Sequence, residues 1–257
     1  MKLFAVPSRW GGLVAGCPKV PSIFASTHPE TWMKNPDGSP FYFTFGPVCS
    51  VHHPATFEFY CEQFDQMLTQ WPFAGIVWDE LKALKRGDFS EAARAVMPDE
   101  AGMAWHIDQQ ALFFDRCGAY ARTIKPDLYR AMFFVSTLEE PVIRRMSASA
   151  ELEAFGCDGR PWSLAHDDPP DTNEEVAKSL LDHGPTFIEA ARRNGKRPLM
   201  LMENHNMNEV CFDLMDRRIP DVIALGPEDL MYYYYPRNVS DPDRQMAIIA
   251  KHLKSLR

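Results

Sequence analysis

The sequence lacks the features of several protein classes. It has no run of 18 or more apolar residues, so no membrane helix is predicted. The six cysteines form no CxxC pair and no histidine lies at zinc-finger spacing from them, so they are interpreted as reduced thiols. There is no basic tract, and 27 Lys and Arg against 35 Asp and Glu give a net charge of −8, which disfavours nucleic acid as a partner. The N-terminal apolar block is too short for a signal peptide, so a cytoplasmic protein is predicted.

A glycine-rich phosphate loop, an internal repeat and a hairpin turn signal are also missing. Without that loop, dinucleotide-binding folds of the Rossmann type and P-loop enzymes are disfavoured. The 257 residues show 46% hydrophobic content and no change of composition along the chain, so residues 1–257 are predicted to form a single domain. An aromatic fraction of 12% is high enough to line a cleft as well as to fill a core.

What the sequence does contain is an alternation of short apolar runs and amphipathic segments. The apolar runs predict strands over residues 3–6, 75–80, 129–135, 152–157, 198–203 and 231–235, with residues 222–225 as an alternative to the last. Helical periodicity predicts helices over residues 54–71, 90–97, 105–124, 141–146, 172–193, 208–217 and 242–256. This alternation is typical of a parallel sheet covered by helices.

Helix boundaries are indicated by local signals. Pro54 occupies a first helical turn, and Ser90 is placed to cap the helix that follows it. Thr172 and Glu175 have the spacing of a capping box, and the helix that they open is expected to be interrupted at residues 184–185. The last helix is expected to bury its apolar side chains, Met246, Ile249, Leu253 and Leu256.

Two of the predicted strands end in acids. The run at residues 75–78 is followed directly by Asp79 and Glu80, and the run at residues 198–202 by Glu203. Ligands of parallel α/β proteins bind at the carboxyl ends of the strands. The acids therefore predict one cleft with a shared chemistry.

These motifs resemble the (β/α)8-barrel glycoside hydrolases, in particular the clan with an acid/base at the end of strand 4 and a nucleophile at the end of strand 7. With residues 4–7 as strand 3, Asp79 and Glu80 end strand 4 and Glu203 ends strand 7. The segments at residues 28–38, 53–56 and 75–79 are also similar to uncharacterised bacterial glycosyl-hydrolase-like barrels. The resemblance implies an α/β fold of the TIM-type (β/α) barrel class, incomplete at the N-terminus because strands 1 and 2 are missing.

The resemblance also implies a mechanism. Glycoside hydrolysis needs one protonated and one ionised carboxyl group, and here Glu80 would be the acid/base and Glu203 the nucleophile of a retaining glycosidase. The clan usually has Asn before the strand 4 Glu, whereas this chain has Asp79, which leaves open which of the two acids is catalytic. The alternative is that these acids are structural ions paired with Lys82 and Arg237.

A carbohydrate is the expected substrate, with no cofactor. The candidate substrate-binding residues are those at the predicted strand ends and adjoining loops: Arg9, Trp10, His53, Asp158, Arg160, Asn204, His205, Tyr234, Arg237 and Asn238. Two other functions stay open, a metal-dependent barrel enzyme using Asp79, Glu80, Glu203 and His205, and a non-catalytic carbohydrate-binding barrel. A second copy of the chain, in a homo-oligomer, is a candidate partner for the open side of an incomplete barrel.

Overall fold

The computed structural model describes residues 2–16, 20–161, 179–205, 207, 209–233 and 239–254. The strands are β1 Leu3–Ala5, β2 Tyr42–Phe43, β3 Gly46–Pro47, β4 Phe73–Asp79, β5 Tyr129–Val135, β6 Ala154–Gly159, β7 Arg197–Glu203 and β8 Asp229–Tyr233. The helices are α1 Ile23–Thr27, α2 Pro54–Gln70, α3 Glu91–Arg94, α4 Met103–Ile124, α5 Glu140–Ser147, α6 Ser179–Arg193, α7 Glu209–Ala224 and α8 Pro242–Lys254. Two short 3-10 helices cover Trp10–Gly12 and Pro29–Thr31.

Six strands form one sheet in the order β1-β4-β5-β6-β7-β8. The pairs β1/β4, β6/β7 and β7/β8 are parallel, as expected when a helical segment separates successive strands. The chain is therefore an α/β protein with a parallel sheet, which is consistent with an incomplete TIM-type barrel. None of the described helices is long and apolar enough to cross a membrane.

The chain divides into two compact units, the first with residues 1–132 and 144–153 and the second with residues 133–143 and 154–257. In the first unit, α2 and α4 pack together beside β4. The core there is aromatic: the Trp78 ring lies 5.1–6.3 Å from the rings of Trp10, Tyr60, Phe64 and Phe114. Burying these rings is a large part of what stabilises this unit.

In the second unit, α6 packs on β6 and β7, and α7 packs against α8. Two glycines allow neighbouring elements of this unit to approach each other closely. A Cβ atom on Gly156 would lie 1.7 Å from the Leu199 carbonyl oxygen on the paired strand, and one on Gly184 of α6 would lie 2.2 Å from Cε of Met200. The second contact also identifies the face of β7 that is covered by α6, because Met200 points towards that helix.

The helix and strand predictions are confirmed at most positions, including Pro54 at the start of α2 and Ser90 as the cap of α3. The structure settles three further points. The chain does contain a hairpin, β2–β3, whose two-residue connection carries no Asn-Gly or Asp-Gly signal. Helix α6 continues through Pro185 without the expected interruption. The segment at residues 222–225 is not a strand, since Val222 lies within α7. The expected capping box at residues 172–175 lies outside the described residues.

Helix α8 buries a different face from the one expected. Ile249 is 4% exposed, but Met246 and Leu253 are 42% and 40% exposed. Gln245 and His252 are buried in their place. Polar contacts explain the rotation, because Gln245 Nε2 donates to the Asn204 carbonyl and His252 pairs with Asp216 on α7.

Candidate active site

The carboxyl end of β4 carries the first pair of acids. Because strand side chains alternate, Trp78 points towards α2 and α4, and Asp79 lies on the opposite face of the sheet. Glu80 follows the strand and has a φ angle of 32°, in a region that non-glycine residues seldom adopt. Its carboxylate is paired with the Lys82 ammonium, and the two side chains are 15% and 23% exposed.

The backbone around Glu80 is held by the segment after β1. Ala15 N donates to the carbonyl oxygens of Asp79 and Glu80, at 2.8 and 3.0 Å. Lys82 N donates to Leu13 O at 2.8 Å. These bonds offset the unfavourable φ angle at Glu80 by fixing the turn from both sides.

Three of the predicted binding residues lie elsewhere in the first unit. Arg9 is buried, donates to Gly16 O at 2.8 Å and stacks 3.9 Å over the Phe45 ring. Trp10 belongs to the aromatic core beside α2. His53 precedes α2 at its N-cap position without a capping hydrogen bond from its side chain.

In the second unit, the carboxyl ends of β6 and β7 bring three predicted residues together. Arg160 Nη2 lies 3.0 Å from Glu203 Oε2. In this ion pair the Arg160 side chain is 20% exposed and the Glu203 side chain is 26% exposed. Asp158 pairs in register with Leu201, so Asp158 and Glu203 lie on one face of the sheet. That face is opposite to α6, since the alternating residue Met200 points towards the helix.

Two of the predicted binding residues, Asn204 and His205, directly follow Glu203. Asn204 is fully buried, and neither polar atom of its side-chain amide has a hydrogen-bond partner among the described residues. His205 lies edge-on to Tyr233, with 5.3 Å between ring centroids, and Tyr233 is the register partner of Glu203 on β8. The sequence did not single out Tyr233. The sequence shows four consecutive tyrosines, whose side chains alternate between the two faces of a strand. Which of them lies beside Glu203 depends on the register of β8 with β7, and the sequence does not give that register.

Burial affects the remaining tyrosine of β8. Desolvation raises the pKa of Tyr232 to about 12, and its hydroxyl has no partner among the described residues. Tyr232 is therefore a neutral hydroxyl at neutral pH. Tyr234, Arg237 and Asn238 lie outside the described residues.

No cluster of three or more His, Cys, Asp or Glu side chains placed to hold a metal ion occurs in the described residues. The five described cysteines are free thiols. Burial raises the pKa of Cys49 to about 11, so this thiol is protonated at neutral pH.

No protein-family model and no curated protein matches the sequence. Solved structures do match. A "beta-galactosidase from the psychrophilic Marinomonas ef1" has a TM-score of 0.61 at 11% identity, covering 99% of this chain and 55% of that one. An "Alpha-L-fucosidase isoenzyme 2 from Paenibacillus thiaminolyticus" has a TM-score of 0.61 at 12% identity, covering 98% and 36%. A beta-galactosidase from the haloarchaeon Halorubrum lacusprofundi has a TM-score of 0.57 at 13% identity, covering 97% and 47%.

These matches show the fold alone, because the identities are 11–13%. The chain has a TIM-like α/β fold similar to that of these glycoside hydrolases. It spans between 36% and 55% of their length.

Proposed function

We propose that the chain hydrolyses a glycosidic bond, and that Glu203 is one of the carboxyl groups that act on it. The observation that carries the proposal is the ion pair of Glu203 with Arg160 at the carboxyl end of a buried parallel strand, on the face opposite to α6. Buried strands seldom end in acids without a reason, and this edge of a parallel sheet is where ligands bind.

The role of Glu203 follows from its partner. The Arg160 guanidinium stabilises the ionised form of the carboxylate at 3.0 Å. An ionised carboxylate suits the nucleophile of a retaining glycosidase or the base of an inverting one, and does not suit the group that protonates the leaving oxygen. We propose the retaining mechanism, with Glu203 as the nucleophile.

A carbohydrate substrate is supported by the fold, since the similar structures are named as beta-galactosidases and an alpha-L-fucosidase. Around Glu203, the side chains of Asp158, His205 and Tyr233 offer hydrogen bonds and an aromatic edge of the kind that sugars use. Because the chain covers at most 55% of the length of those proteins, their whole activities are candidates only. Aryl β-galactosides and aryl α-L-fucosides are the first substrates to test.

The experiment compares the wild type with Glu203→Gln on a panel of aryl glycosides. We expect at least one glycoside to be hydrolysed, and Glu203→Gln to lower kcat by about 10⁴- to 10⁶-fold, the range found when a residue of a nucleophilic catalytic unit is removed. Glu209→Gln is the matched control, because Glu209 is an exposed acid that is also paired with an arginine, Arg244. It should retain wild-type activity.

Three results would contradict the proposal. If Glu203→Gln and Glu209→Gln hydrolysed the same glycoside equally well, Glu203 would be a structural ion. If sugars bound to the wild type and no glycoside was turned over, the chain would be a binding barrel. Activity abolished by a chelator and restored by a divalent metal would point to a metal-dependent reaction instead.

A further inference from the structure

We propose that Gln245 of α8 is a positioning residue for Glu203, because its side chain holds the backbone of the residue that directly follows Glu203. This inference rests on the proposed function and names a residue that orients its nucleophile without touching the substrate. Both residues belong to the second unit.

The first step is the burial of Gln245. Its side chain is polar, yet the residue is only 1% exposed. Burying an amide is unfavourable unless it is hydrogen-bonded. Its Nε2 atom donates to the Asn204 carbonyl oxygen, and also to Met207 Sδ at 3.4 Å. Both acceptors lie in the turn after β7, so Gln245 is buried in order to bind that turn.

The second step is what holds Glu203 itself. The register of β7 with β6 ends at Met202, and its register with β8 ends at Glu203, which pairs with Tyr233. Glu203 is therefore the last residue of β7 that the sheet fixes. Asn204 is fully buried, so its backbone carbonyl needs a partner within the protein. Gln245 supplies that partner, and it fixes the chain on the far side of Glu203.

The third step is the anchoring of α8, which packs against α7. Arg244 pairs with Glu209 at 2.7 Å, and His252 pairs with Asp216 at 2.7 Å. Gln245 lies between Arg244 and His252 in sequence, so α8 is tied to α7 on both sides of it. The amide of Gln245 is therefore presented to the turn after β7 from an anchored helix.

The consequence for the proposed reaction is geometric. A nucleophile must be held close to the carbon that it attacks, and a misplacement of about 1 Å can cost about 10²-fold in rate. Because Gln245 acts on Glu203 only through the backbone, its loss should affect the reaction step and not the binding of the sugar. Such a loss lowers kcat and leaves KM nearly unchanged.

The kinetic test compares Gln245→Met with Arg244→Met on a glycoside that the wild type hydrolyses. Methionine keeps the length of the Gln245 side chain and removes the donor. We expect Gln245→Met to lower kcat by about 10²-fold at nearly constant KM. Arg244→Met removes the neighbouring ion pair with Glu209 and should keep the kcat of the wild type. Wild-type kcat in Gln245→Met, or an equal loss in both variants, would overturn the positioning role.

A second measurement follows the hydrogen bond without any substrate. Asn204–His205 is the only Asn–His dipeptide in the sequence, so ¹³C-carbonyl asparagine and ¹⁵N histidine together label a single peptide bond. A carbonyl carbon resonates at lower frequency when its oxygen loses a hydrogen bond. We expect this shift of the Asn204 carbonyl in Gln245→Met and none in Arg244→Met. An unchanged signal in Gln245→Met would overturn the inference.

Gln245→Glu gives the same test if Gln245→Met does not fold. A protonated carboxyl group can donate to the Asn204 carbonyl, whereas an ionised one cannot. The ratio of the kcat of Gln245→Glu to that of the wild type should therefore rise as the pH is lowered. A ratio that is independent of pH would overturn the inference.

Failure of the proposed function would look different. A wild type that hydrolyses no glycoside would contradict the proposed function and, with it, the positioning role of Gln245 in that reaction. The carbonyl shift in Gln245→Met would still be observed in that case, because it depends only on the hydrogen bond to Asn204.

Discussion

The candidate site depends on single residues at the ends of strands. The sequence predicts their positions better than it predicts their partners. The positions of Asp79, Glu80 and Glu203 at the ends of strands were predictable, because these acids directly follow apolar runs. The Glu80–Lys82 pair was foreseen as an alternative, and it forms. Glu203 forms an ion pair with Arg160, which is 43 residues away in sequence. A contact over such a distance depends on the register of β6 with β7, which no local pattern specifies.

Another group of polar residues was not recognised as a cluster. His52, Asp88, His106 and Gln110 line a small internal cavity of about 10 Å³ in the first unit. Asp88 Oδ2 and Gln110 Oε1 are buried there and have no partner among the described residues. A cavity of this size has room for about one water molecule.

The two histidines at this cavity predict how stability depends on pH. Burial lowers the pKa of His52 and of His106, and Asp88 only partly opposes this by favouring the charged forms. In the unfolded chain these histidines have a pKa of about 6.5 and therefore bind protons more readily than in the folded protein. The free energy of unfolding should be highest above a pH of about 6.5 and decrease as the pH falls through that value towards the lower folded pKa values.

The comparison is between the wild type and His52→Phe in urea unfolding at pH 7 and pH 5. Phenylalanine can keep the stacked contact with Trp105, whose ring centroid lies 5.1 Å from that of His52. We expect the decrease in unfolding free energy between the two pH values to be smaller in the variant. An equal decrease would show that His52 is not part of the pH dependence.

At the scale of elements, periodicity predicted which segments are helices better than it predicted which face they bury. Helix α8 begins at Pro242 as expected, yet the apolar positions Met246 and Leu253 are exposed. The helix is rotated so that Gln245 reaches the Asn204 carbonyl and His252 reaches Asp216. A hydrophobic pattern cannot predict this rotation. Burial of a polar side chain is unfavourable unless it is hydrogen-bonded, and the pattern does not identify the partner.

The face of α8 can be tested by truncating one apolar side chain on each side. Ile249→Ala should lower the free energy of unfolding by about 2–5 kcal/mol, because Ile249 is 4% exposed and its loss leaves a cavity. Leu253→Ala should change it by less than about 0.5 kcal/mol, since Leu253 is 40% exposed. Equal effects in chemical denaturation would contradict the orientation of this helix.

The hairpin β2–β3 was missed for a related reason. Its strands are two residues each, too short for an alternating pattern, and its turn lacks the usual dipeptides. Gly46, with a φ angle of 120°, is the one residue of the hairpin whose backbone requires glycine. Nothing in the surrounding aromatic segment separates this glycine from an ordinary loop glycine.

At the scale of the whole molecule, the alternation of strands and helices was sufficient to predict a parallel α/β fold. The solved structures with TM-scores of 0.57–0.61 support a TIM-like fold at 11–13% identity. Such a low identity is compatible with one fold because the constraint on each position is only apolar or polar, at the right period. The single domain, the cytoplasmic location and homo-oligomer formation stay predictions.

The central claim is that a glycosidic bond is cleaved with Glu203 as the nucleophile. The most direct measurement is a proton NMR time course of glycoside hydrolysis by the wild type and by Glu203→Gln, following the anomeric proton of the released sugar. The account predicts that the wild type first releases the sugar in the anomeric configuration of the substrate, and that Glu203→Gln releases almost none. Release of the opposite anomer would contradict the retaining mechanism, and equal release by both proteins, or no release from any glycoside, would contradict the function itself.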